Sequence, residues 1–224
     1  MNFANDGVEI VENVLAPAEV EVLLAGLPAN VAGMRNLLRR CPAVRSLALS
    51  ERIGGLLRRL GCAGARPVRG VFFDKNPARN WAIPWHQDIA IAVAARVETP
   101  GFTGWSVKEG VPHANPPPQI LAGMITLRIH LDDCDAANGA LRVAPGSHRH
   151  GLLNDAQIAR LTAQGVVPCC ARRGDAVAMR PLLLHASSRA TSPSHRRVIH
   201  LEYSADQLPN GLAWFEDTPR LSPD

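Results

Sequence analysis

A chain of 224 residues, 46% hydrophobic and 20% charged, is long enough for a substantial core and has the make-up of an ordinary globular protein, which excludes a disordered or fibrous one. The net charge of +4 comes from 22 arginines and two lysines against 20 acids, scattered rather than gathered into a stripe with aromatics. That argues against a nucleic-acid binder and leaves anionic small molecules as reasonable partners. Five cysteines without a C-x-x-C pair, acids (Asp6, Glu9, Glu12) where a secretion signal carries positive charge, and no apolar run near the ~20 residues of a membrane span point to a reducing cytoplasm and no membrane.

In chain order, Val8, Ile10 and Val14 alternate with polar neighbours and predict a short strand within residues 1–15. Pro17 suits the first turn of a helix carrying Val20, Leu23, Leu24 and Leu27. The basic run from Arg35 to Arg40 reads as one solvated helix face, and a second helix is predicted over about 42–60. Its stripe is Leu49, Ile53, Leu56, Leu57 and Leu60, the Gly54-Gly55 pair weakens it, and Gly61 stops it. From Arg66 the texture is that of a strand. Residues 98–118, rich in Gly and Pro with Phe102 and Trp105 embedded, predict a structureless segment acting as an active-site cover.

Beyond it, Thr126, Arg128 and His130 alternate with Ile125, Leu127, Ile129 and Leu131, a half-buried strand with one polar face. Asn138-Gly139 signals a hairpin turn, and Asn154 caps a short helix ending near Gly165. One strand is expected from Ala176 through Leu184, reaching His185, and another from Arg196 to Tyr203. Helices first and many short strands afterwards predict a mainly β fold with flanking helices, a sandwich or barrel without a second domain.

The chemistry centres on Trp85-His86-Gln87-Asp88. Side chains two apart on a strand share a face roughly 6.5 Å apart, so His86 and Asp88 can reach one ion. A third donor must come from another strand, and of eight histidines His185 is best placed, at a strand end beside Ala186, Ser187 and Ser188. Two histidines and one carboxylate leave open positions, the facial triad of non-haem iron enzymes, whereas structural zinc calls for a fourth ligand that no cysteine is placed to give. Arg196, eleven residues after His185, opens a strand on the face shared by Val198, His200 and Glu202 and suits a carboxylate. His148 and His150 have the spacing of a second H-x-H metal site, but His148, in the Pro-Gly-Ser-His turn, reads as structural.

Together the H-x-D pair, the distal His with its following Arg, and the phrase Asn138-Gly139-Ala140-Leu141-Arg142-Val143-Ala144-Pro145-Gly146-Ser147-His148 resemble the phytanoyl-CoA dioxygenase family over about residues 5–205. The resemblance implies a double-stranded β-helix (jelly-roll, cupin-like) that uses Fe(II), 2-oxoglutarate and O2 and releases succinate. It implies one domain over 1–224, with a helical part at about 15–61 packed on a core at about 66–205.

By the same resemblance His86, Asp88 and His185 match the iron ligands, Arg196 the clamp on the distal carboxylate of 2-oxoglutarate, and Gln87 and Ser187 supporting contacts. Thr126 is a further pocket candidate, and Arg128, Trp105, Lys75 and Asn80 are candidates for substrate contact. Arg128 departs from the family pattern, which commonly has Trp there. Asp88 favours a hydroxylase, because related halogenases replace this carboxylate with a small residue. Two other readings share the metal pair: a non-catalytic jelly-roll with a vestigial site, and a cupin-like enzyme needing no cosubstrate.

Overall fold

The computed structural model describes residues 1–29, 31–192 and 194–217. In chain order the strands are β1 (Val8–Val11), β2 (Gly33–Met34), β3 (Arg66–Lys75), β4 (Ile83–His86), β5 (Ile91–Ala92), β6 (Thr103–Lys108), β7 (Val111–Asn115), β8 (Ile125–His130), β9 (Leu141–Val143), β10 (Val167–Cys169), β11 (Ala176–Met179), β12 (His185–Ser187) and β13 (Arg196–Ser204). A six-stranded sheet runs β1-β11-β8-β13-β3-β2 and a four-stranded one β10-β9-β12-β4. The pairings that bear on the site are antiparallel. Side chains of both sheets line one cavity, so the sheets face each other as a jelly-roll. No described helix is long and apolar enough to cross a membrane.

Strand alternation divides the large sheet into two faces. Phe72, Ile125, Leu127, Ile129, Ile199, Leu201 and Tyr203 face outward and share a core with Leu23, Leu37, Leu38, Val44, Ile53 and Leu57 of the N-terminal helices. The opposite face carries Phe73, Arg128, Arg196, Val198 and His200 into the barrel. The polar side of β8 is therefore an inner wall.

Four expectations are corrected. The helix expected over 42–60 is two, Pro42–Leu49 and Glu51–Arg59, because Ser50 is extended and its hydroxyl accepts from the Ile53 amide, starting a new helix. Residues 98–118 are not structureless. β6 and β7 form a hairpin through Glu109 and Gly110, both at positive φ as a type I′ turn requires, and it pairs with β5. The strand expected from Ala176 to Leu184 ends at Met179. A turn at Arg180-Pro181 then carries the chain to the other sheet, where His185 begins β12. The Asn138-Gly139 turn joins β8 to β9 of the opposite sheet rather than closing a hairpin.

Glu216 ties the C-terminal segment to the helical layer. Its buried carboxylate accepts from the amides of Leu38 (2.9 Å), Arg39 (3.2 Å) and Gly70 (2.7 Å), bridging the first turn of helix Leu37–Arg40 and β3. Glu216→Ala would strand those amides, and a loss of roughly 3 kcal/mol is expected by chemical denaturation. A change below about 1 kcal/mol would mean that water replaces the carboxylate.

Candidate active site

His86 and His185 are direct partners across the β4–β12 ladder, with ring centroids 4.1 Å apart. The Nδ1 of each ring meets the carbonyl two residues earlier: Pro84 at 2.9 Å for His86, Leu183 at 2.8 Å for His185. A carbonyl only accepts, so Nδ1 carries the proton and Nε2 keeps its lone pair. Those Nε2 atoms lie 3.8 and 3.6 Å from the two oxygens of Asp88, whose own amide donates to Pro181 O at 2.9 Å. One ligand atom from each residue falls within 4.8 Å of the others, a grouping unmatched among the described residues. Among the described residues Asp88 Oδ2 has no hydrogen-bond partner.

The protonation states suit a cation. Burial alone would raise the Asp88 carboxyl, but His185, His200, His86 and Arg128 around it prevail and hold it at about 2. Burial takes His185 down to about 4 against the pull of Asp88. At neutral pH the site offers a carboxylate and a neutral imidazole with free lone pairs. Two histidines and a carboxylate on one side of an ion fit ferrous iron with positions left open.

Arg196 lies on the facing sheet, 6% exposed, with Nη1 donating to Gly139 O and Nε without a partner. Gly139 sits at φ +71°, and a Cβ there would come within 2.7 Å of Ser188 O, so only glycine admits this approach. Ser187 Oγ, also buried and unpartnered, lines the same cavity. A buried guanidinium and hydroxyl with bonding capacity to spare fit a carboxylate.

Other predicted residues separate into two groups. Arg128 lines the cavity, and Thr126 is buried on the same face with its hydroxyl unpartnered. Gln87 points elsewhere. Its amide donates to Gly151 O (2.8 Å) and Leu182 O (2.6 Å) and accepts from Leu153 N (2.9 Å), so it pins loops and has no donor left for a cosubstrate. Asn80 is likewise consumed by the backbone of Ala190. Lys75 faces Ser188 O at 2.8 Å and lies over the Trp81 ring, and burial with Arg196 nearby lowers its ammonium to about 8. Trp105 belongs to the β6–β7 hairpin, with Arg96 over its ring, outside the cavity lining. His148 packs on Gly7. Phe73, Ile83, Leu141 and His200 complete the wall unforeseen; for His200 the signal was its alternation with Arg196.

Acid stability follows from the buried histidines. Burial, then Arg128 and Arg196, take His130 from 6.5 to about 3, and neither ring nitrogen has a partner. Below pH 6.5 the unfolded chain binds protons that the folded one refuses, so stability falls as pH falls. The metal-free protein is expected to lose up to about 1.4 kcal/mol per pH unit per group, between 6.5 and about 4 for His185 and down to about 3 for His130. Denaturant titrations at several pH values measure this, and His130→Leu should flatten the slope. An unchanged slope would remove His130 from the account.

A jelly-roll with a histidine ending β4 and an aspartate two residues beyond that strand, a second histidine directly opposite and a buried arginine on the facing sheet defines the class: a non-haem iron oxygenase dependent on 2-oxoglutarate. The sequence profile of phytanoyl-CoA dioxygenase (PhyH) matches residues 3–198, and the chain belongs to that family. Among solved structures, AviO1 from Streptomyces viridochromogenes is 26% identical, with 93% of this chain and 94% of that one covered and a TM-score of 0.67. EctD from S. alaskensis, crystallised with 2-oxoglutarate and 5-hydroxyectoine, is 19% identical over 91% of this chain and 73% of its own, with a TM-score of 0.67. SnoK, an alpha-ketoglutarate-dependent carbocyclase from nogalamycin biosynthesis, is 21% identical over 91% and 82%, with a TM-score of 0.66. No match is found among curated proteins.

Proposed function

We propose that this oxygenase is a hydroxylase of a small molecule, in which His86, Asp88 and His185 hold the iron and Arg196 with Ser187 grips the distal carboxylate of 2-oxoglutarate. The observation that carries the reading is the carboxylate of Asp88, presented between two imidazoles with one oxygen unpartnered. A small residue there would leave room for a halide; Asp88 fills it. Bound iron and 2-oxoglutarate supply the oxidation, with O2 as oxidant and succinate as co-product.

The chain's own part is positional. Carbonyls of Pro84 and Leu183 fix both imidazoles, and Gln87, between His86 and Asp88, ties that segment to the backbone of Gly151, Leu153 and Leu182. Gly139 O steers the Arg196 guanidinium toward the cavity. The core shared between the helices and the large sheet supports one oxygenase domain across the chain, helical at about 15–61 on a jelly-roll at about 66–205. Five free thiols support a cytoplasmic setting.

The test is a metabolite screen for substrate-stimulated succinate release, followed by mass analysis of the product. A product with one added oxygen atom is expected; a desaturated or cyclised product with no added oxygen would overturn the hydroxylase assignment.

A further inference from the structure

Arg128 brings a charge into the cavity, where it lies over the Phe73 ring and shares the one lining carboxylate, that of Asp88, with the metal site. Among the described residues its one side-chain hydrogen-bond partner is an imidazole nitrogen, which must accept: Nη1 lies 3.0 Å from His200 Nδ1, and Nε has no partner there. His200 is held for this role from behind, with Nε2 3.3 Å from Glu202 Oε1, which in turn pairs with Arg69 Nη1 at 2.8 Å. The carboxylate of Glu202 is thus already matched by Arg69, and Asp88 is the one carboxylate among the cavity-lining residues. Burial, and then Arg196, draw the Arg128 guanidinium down to about 10, so it stays charged at neutral pH.

In the oxygenase reading, on which this inference rests, the histidines and Asp88 take a divalent cation. The two carboxylates of 2-oxoglutarate are then answered by that cation and by Arg196. Among the cavity-lining residues one positive charge, that of Arg128, then remains without a counter-ion. An uncompensated charge out of water is costly unless a ligand answers it. Arg128 follows Arg196 by two rows of the β13–β8 ladder, since Val198 pairs with His130 and His200 with Arg128. The two side chains therefore leave the sheet at different depths, roughly 13 Å apart along the strands, and they address different ends of the cavity.

We propose that Arg128 is the substrate anchor and that the substrate is a small monocarboxylic acid. A single unmatched charge calls for a monoanion, and the planar fork of a guanidinium matches a carboxylate through two parallel bonds. A dianionic phosphate would exceed the charge that the lining offers, and a neutral substrate would leave the part-buried Arg128 unanswered. The Arg69–Glu202–His200 row sets the direction of the anchor, so His200 and Glu202 are positioning residues.

The test uses the intact protein, kept anaerobic and loaded with Fe(II) and 2-oxoglutarate, with calorimetric titration of small alkyl and aryl monocarboxylates against their primary amides. Acids are expected to bind and their amides to bind at least about tenfold more weakly. Arg128→Met should weaken the best acid roughly 10- to 150-fold and erase its advantage over the amide, and Arg128→Lys should restore part of it. Circular dichroism checks that each variant is folded. The charge-transfer absorption of the iron–2-oxoglutarate complex, read in the same variants, should titrate at unchanged concentration. Acids that bind no better than amides would overturn the proposal, as would an Arg128→Met protein whose affinity for 2-oxoglutarate falls as far as that for the acid. A wild-type protein with no such absorption would overturn the oxygenase reading itself, and this inference with it.

Discussion

Asp88→Ala is expected to abolish 2-oxoglutarate turnover while leaving the fold intact. The carboxylate is the one anionic donor of the three residues and touches both imidazoles. Its loss leaves two neutral donors, and changes one shell further out already cost 10- to 100-fold in metal affinity, so a loss greater than about 100-fold is expected. The fold should tolerate the change for two reasons. The side chain is part-exposed with one oxygen unpartnered, and the backbone bond from Asp88 N to Pro181 O does not involve it. Iron content, succinate formation and thermal melting of the variant separate the two effects. Unchanged succinate formation would refute the ligand assignment.

The second large effect concerns Arg196. Replacing it with Met removes a buried charge whose polar contacts are Gly139 O and the sulfur of Cys134. The KM for 2-oxoglutarate should rise roughly 10- to 150-fold, the value of a hydrogen bond to a charged group. Arg196→Lys should recover only part of this, since an ammonium cannot make two parallel bonds. The metal-free protein should be as stable as before, or more so by about 1–4 kcal/mol, because an isolated buried charge is unfavourable. That pairing of outcomes distinguishes a ligand clamp from a structural arginine: a structural one would lower the melting temperature and spare the KM.

The sequence disclosed what alternation and turn chemistry govern. β8 and β13 were readable as polar-faced strands, and the face that includes Arg128 and His200 is the one that lines the cavity. The helix from Pro17 and the cap at Asn154 were equally plain. What stayed hidden depended on partners distant in the chain. Nothing local in residues 176–187 shows that Pro181 marks a crossing from one sheet to the other, so His185 was expected at the end of a strand and stands at the start of one. Gly and Pro made 98–118 look unstructured, because their number was legible and the I′ geometry of Glu109-Gly110 was not. Gln87 lies between two residues that face the cavity, yet alternation turns its amide to the other side, where backbone groups consume it.

β12 is only three residues long, and it holds both His185 and Ser187. Its neighbour β9 is equally short and β4 has four residues, while the large sheet behind draws its stability from a separate apolar layer. If His185 and Ser187 hold the ion and the diacid as proposed, local opening of this one ribbon would release both together, before the scaffold melts. Cofactor occupancy is then its own brace: an ion joining two segments a hundred residues apart in the chain should slow amide exchange at residues 185–187 far more than anywhere in β13.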